Sequence, residues 1–228
     1  MTEHDPDELP DDPADDPADD LPDDLEADPD DPDPGLLDLE LTGSGVPRPA
    51  IAWQVQPALR GRVDRASLRL LARRLRRAAR RVGVALADLP GVAVSVVDDA
   101  EIQRLNAEHM GKDRTTDVLS FPARPPGPEG RELAARGVPL GDIVLCWDAV
   151  ERQAAARLDA GESAEALAAA ALDEATVLVI HGLCHLLGHD HAARGEARAM
   201  HRRERRGLRA ARVADIPRPY GLRPDRGA

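Results

Sequence analysis

The chain has 228 residues, enough for one domain with a sizeable core, and its 42 acidic against 30 basic side chains give a formal net charge of −12. That figure hides a division: residues 1 to 40 hold 19 Asp or Glu, eight Pro and no Lys or Arg, while the remaining 188 carry 30 basic against 23 acidic side chains. The composition argues against a membrane protein and a disulfide-stapled one, because no apolar run approaches the ~20 residues of a spanning helix and the two cysteines, Cys146 and Cys184, form no framework and no C-x-x-C motif.

Residues 1 to 45, with the near-repeat Asp-Asp-Pro-Ala-Asp-Asp-Pro-Ala, cannot bury enough apolar surface to order themselves and read as a disordered acidic tail. Its charge also suits an intramolecular mimic of phosphate. The N-terminus is not a basic and apolar signal peptide, so a cytoplasmic protein with reduced thiols is expected. The folded domain is placed at 46 to 216, with a short tail over 217 to 228. Its basic balance fits a polyanionic substrate.

Ala50 to Gln56 is predicted as a first strand, and Ser67 to Val82 as an amphipathic helix with Leu68, Leu71, Leu75, Ala79 and Val82 inward. Gly83 should end that helix. Its outer face is crowded with Arg73, Arg74, Arg76, Arg77, Arg80 and Arg81, which suit a solvated surface and an RNA-tracking patch equally well. Gly91 to Val97 reads as a second strand, Asp99 as the cap of a helix through about Glu108, and Val118 to Phe121 and Gly141 to Cys146 as two more strands. Pro122 to Pro139, rich in Pro, Gly and charge, reads as a loop, either a flap near a site or, slightly preferred, an insertion. Asp148 to Leu158, Ser163 to Leu187 and Glu196 to Ala214 are predicted helices. The order gives an α+β fold: a small mixed sheet packed with several helices, among them a zincin-like metal helix.

That helix ends in His181-Gly-Leu-Cys-His-Leu-Leu-Gly-His-Asp-His191. A helix turns about 100° per residue, so His181 and His185 share a face, and Gly188 suits the left-handed turn that would bring His191 to the same ion. Three protein ligands leave a fourth position open, as in catalytic zinc sites. The spacing matches the zincin signature H-E-x-x-H-x-x-G-x-x-H, but its general-base Glu is replaced by Gly182, which argues against ordinary proteolysis. Cys184 is expected to pack in the core, His189 to face substrate or back a ligand, and Asp190 to orient a ligand histidine or cap the turn.

The same run resembles the H-G-x-L-H-L-x-G-Y-D-H signature of the YbeY family, agreeing at seven of its nine fixed positions, with Cys184 for Leu and His189 for Tyr. A second block, Leu105-Asn-Ala-Glu-His-Met-Gly-Lys-Asp-Arg-Thr-Thr-Asp-Val-Leu-Ser-Phe-Pro122, is similar to the family segment before its central strand, and Leu140-Gly-Asp-Ile-Val144 to the strand after it. The resemblance implies one divalent ion, most simply Zn2+, on His181, His185 and His191. It also implies a single-strand-specific endoribonuclease of small-subunit rRNA 3′-end maturation and ribosome quality control, with the rRNA precursor, the small subunit and ribosomal or assembly proteins as partners. The family often has a catalytic Arg where this chain has Met110, and Pro where it has Thr115. Lys112 and Asp190 are the candidate catalytic residues and Lys112 and Ser120 the candidate substrate contacts, with Asp117 shaping the site wall. Trp53, Trp147, Phe121 and Tyr220 are too few for a base-stacking platform, so phosphate contacts should dominate. Two other classes fit the residues: a zincin-like peptidase with a replacement base, and a ribosome assembly factor whose metal only stabilises its fold.

Overall fold

The computed structural model describes residues 51 to 159 and 161 to 214; the predicted tails and the role suggested for the acidic one lie outside the described residues. Four strands and six helices follow in the order β1 (Ala52–Val55), α1 (Arg65–Val82), β2 (Val92–Val97), α2 (Asp99–Met110), β3 (Val118–Pro122), α3 (Pro128–Ala135), β4 (Gly141–Cys146), α4 (Trp147–Ala155), α5 (Ala164–Leu186) and α6 (Arg194–Ala211). The sheet order is β1-β2-β4-β3, parallel except that β3 runs antiparallel to β4 at the edge. This is the small mixed sheet with helices that the sequence predicts.

Each sheet face has its own apolar layer because successive strand residues point to opposite sides. Val94, Val96, Ile143 and Leu145 join the large core with α1, α5 and α6, while Val97, Leu119, Val144 and Cys146 meet Ile102 of α2 and Ala149 of α4. Helix α5 touches α1, α4, α6, β3 and β4, which explains why it is apolar nearly all round. Contrary to the expectation that no apolar run approaches a spanning length, its 23 residues would suffice by length and composition to cross a membrane, but 67% of its most apolar window is buried inside the protein.

The ends of the elements follow ordinary capping chemistry. Asp64 accepts the Ser67 N–H at 2.8 Å to start α1, and Gly83, with φ of 100°, ends it as predicted. The cap of α2 is Asp98, not Asp99: the Asp98 carboxylate accepts the Glu101 N–H at 2.9 Å, while Asp99 turns to Arg152. Helix α4 stops at Ala155, three residues before the predicted end, and α6 occupies Arg194–Ala211, not Glu196 to Ala214. The predicted loop from Pro122 to Pro139 contains α3, which Pro128 starts with its pre-set φ.

Candidate metal centre

The last two turns of α5 carry the first two histidines, and the turn after the helix delivers the third. The Gly188 N–H bonds the His185 carbonyl at 2.9 Å and the His189 N–H bonds the Cys184 carbonyl at 3.0 Å, the double closure of a Schellman turn. Gly188 takes φ of 82°, and a Cβ there would stand 2.6 Å from Pro126 Cγ, so both conformation and space require glycine. One ligand atom from each of His181, His185 and His191 lies within 4.8 Å of the others. His181 is buried, His185 half-buried and His191 exposed, so the cluster opens to solvent on one side.

Proton placement in the cluster is constrained by α6. His181 Nδ1 lies 2.6 Å from Glu204 Oε1, with both side chains buried. With the His181 Nδ1–H donating to this carboxylate, the Nε2 lone pair of His181 is directed at His185, whose Nε2 is 3.0 Å away. Burial lowers the His185 imidazole to about 4, and the neighbouring His181 and His191 push in the same direction. Converging imidazole nitrogens, one ring backed by a buried carboxylate, form a donor set suited to one divalent cation.

The other sequence-predicted residues fall in different places. Asp190 accepts the backbone N–H of its neighbour His191 at 2.7 Å, so it caps the turn; the carboxylate on a histidine of the cluster is Glu204, which sequence reasoning missed. His189 is half-buried and shifted downward, first by burial and then by Arg203. Cys184 lies in the apolar core. Lys112 is exposed in the loop after α2; its backbone N–H bonds the Asn106 carbonyl at 3.2 Å, and buried Asn106 pins that loop through the Arg114 carbonyl at 2.8 Å. Met110 is 42% exposed at the end of α2. Asp117 accepts the Val118 N–H at 3.0 Å at the start of β3. The Pro122 to Pro139 stretch, preferred above as an insertion, reaches the site: with Leu186 and Gly188, residues Pro122 to Pro126 line a cleft of about 280 Å3 beside the histidine turn.

Ser120 lies under the helix at Gly182. A Cβ at residue 182 would stand 3.0 Å from Ser120 Oγ and 3.1 Å from Ile143, so the position of the zincin base faces the sheet at close range. Gly182→Ala is expected to cost about 1–3 kcal/mol through overpacking. Gly182→Glu, which rebuilds the zincin signature, should cost more by burying a carboxylate against that wall and should yield no peptidase. Urea denaturation and a peptide-cleavage assay check both outcomes.

Comparison with known proteins agrees with these features. The family described as Endoribonuclease YbeY matches residues 60–212. The chain is 43% identical over 131 residues to the Endoribonuclease YbeY of Alkalilimnicola ehrlichii, covering 58% of this chain and 69% of that one. It is 38% identical over 170 residues to that of a Chelativorans species, covering 74% and 86%, and 38% identical over 166 residues to that of Laribacter hongkongensis, covering 72% and 76%. Among solved structures, the solution structure of TM1509 from Thermotoga maritima is similar with a TM-score of 0.43 and 24% identity, covering 71% of this chain and 88% of that one. With a family match that spans α1, strands β2 to β4, the histidine turn and α6, the chain belongs to the YbeY family of endoribonucleases, hydrolases that cleave RNA.

Proposed function

We propose that this protein cleaves single-stranded RNA in the maturation of the small-subunit rRNA 3′ end and in ribosome quality control, using one zinc ion held by His181, His185 and His191. The observation that carries the reading is the convergence of the three imidazoles on a solvent-open point, with Glu204 fixing the tautomer of His181. When bound, such an ion supplies Lewis-acid polarisation of a phosphoryl oxygen and acidification of water. Glu204 holds the Nδ1 proton of His181, and Asp190 keeps the turn in the shape that aims His191. Lys112, on an exposed loop pinned by Asn106, meets substrate phosphate, and Ser120 forms the wall beneath Gly182. Met110 offers no charge, so neutralisation of the reacting phosphate falls on Lys112 and on arginines. The functional domain covers 46 to 216, flanked by an acidic tail and a short C-terminal one, and the protein works in the cytoplasm beside the small subunit and its assembly proteins.

The test compares a labelled single strand from a pre-rRNA 3′ end with the same sequence in a duplex, using native, chelated and zinc-restored protein. Cleavage of the single strand alone, lost on chelation and recovered with zinc, is the expected result. Metal-dependent cleavage of peptides with no action on RNA would replace the reading with a peptidase. Tight binding to the small subunit without turnover, together with unfolding on chelation, would replace it with an assembly factor.

A further inference from the structure

Helices α1 and α6 differ from the other described helices in how densely they carry arginine. Helix α1 carries eight arginines and no acidic residue; α6 carries seven arginines and two acidic residues, one of which, Glu204, turns inward to His181. Several arginines in other described elements face carboxylates, Arg62 bridging Asp148 and Glu151, Arg104 joining Glu101 and Glu108, and Arg152 pairing with Asp99; within α1, Arg74 pairs with Asp173 of α5 at 2.8 Å. The two arginine helices also pack against each other. Gly207 of α6 sits where a Cβ would be 2.8 Å from Val82 Cγ1 of α1, and Arg203 donates to the Val82 carbonyl at 3.4 Å. Arg73, Arg80 and Arg81 of α1 and Arg198, Arg202 and Arg209 of α6 are exposed.

We infer that the joined outer faces of α1 and α6 form a docking surface for the phosphate backbone of single-stranded RNA, distinct from the metal centre and feeding it. The inference rests on the nuclease reading above for its ligand, and three features support it. Like charges at i,i+4, such as Arg69 with Arg73 or Arg198 with Arg202, oppose helix formation, so a pair of helices whose one exposed carboxylate is Glu196 suits an external polyanion. Arg194, the first residue of α6, stands three positions after His191, so the basic surface begins beside the histidines and runs down a helix of about 27 Å at 1.5 Å per residue. With so few aromatic side chains, the protein cannot grip RNA by stacking and must hold it through phosphates. Guanidinium groups do this with paired N–H donors.

The test replaces Arg73, Arg80, Arg202 and Arg209 by Gln in the full-length protein and follows binding of a fluorescent single-stranded RNA by anisotropy over a range of salt. Removing four phosphate contacts should reduce the slope of log affinity against log salt by about 3, at roughly 0.7 per contact on a single strand. The same four positions changed to Lys should recover most of the affinity, because the contact is to charge. Unchanged affinity and slope in the Gln variant would overturn the inference, as would a Lys variant that binds as poorly as the Gln variant. A polyglutamate peptide that competes as well as RNA would overturn the assignment to nucleic acid. Cleavage by wild type is scored separately: binding through these arginines without any cutting leaves the surface standing and removes the nuclease reading. Cutting by wild type, with the variant's slope unchanged, does the reverse.

Discussion

His185→Ala is expected to abolish both metal binding and RNA cleavage. His185 is the middle donor of the cluster, its ring centroid 4.5 Å from that of His181 and 5.2 Å from that of His191, so its removal leaves two nitrogens that cannot close a tridentate site. Loss of an outer-shell partner alone typically costs about 10–100-fold, and loss of a ligand should exceed that. Metal content by elemental analysis should fall from one ion per chain to background, and cleavage of a labelled single strand should fall with it. Wild type and variant must be purified separately, since contaminating ribonuclease would cut equally in both; equal activity would remove the metal-centred reading. The variant has a second signature. His185 is held at about 4, below the ordinary value of 6.5, so between those limits the unfolded chain binds the proton that the folded chain refuses. In metal-free wild type, stability therefore declines as pH falls from about 6.5 toward 4, and the His185→Ala protein should lose less over the same window.

The order of strands and helices was legible because the strong signals were local: alternation in Val92–Val97, the apolar stripe of α1, and Gly83 and Gly188 where left-handed turns are needed. The histidine triad was legible for the same reason, since an i,i+4 pair followed by a glycine turn encodes its geometry within eleven residues. What the sequence concealed depends on contacts between distant segments. Helix α3 hides in a stretch of Pro and Gly, with only eight residues to display a period. The choice between Asp98 and Asp99 as cap was decided by Arg152, 53 residues beyond Asp99. Gly182 reads in sequence as a lost general base, whereas in the structure it is the point where α5 rests on Ser120 and Ile143. Glu204 gave no local signal at all, standing alone among arginines 23 residues after the histidine it serves.

Glu204 is also where the second large effect is expected. The close fit of Gly207 against Val82 and Ile180 holds α6 near α5, and this brings the Glu204 carboxylate, buried at 4% exposure, to 2.6 Å from His181 Nδ1. A carboxylate there makes the imidazole a better donor and fixes which nitrogen faces the ion. In Glu204→Gln the amide oxygen can still accept the proton but the negative charge is lost, so zinc affinity should fall by about 10-fold. In Glu204→Ala the buried N–H loses its acceptor and the ring loses its anchor, and the fall should approach about 100-fold. Chelator-competition titrations give the affinities, and thermal unfolding of the metal-free proteins separates this effect from general destabilisation. The expected order is wild type, then Gln, then Ala, in metal affinity at matched apo stability. Two variants that bind zinc as wild type does, with only the melting temperature lowered, would make Glu204 a contact that holds α6 to α5 and would leave His181 to set its tautomer without it.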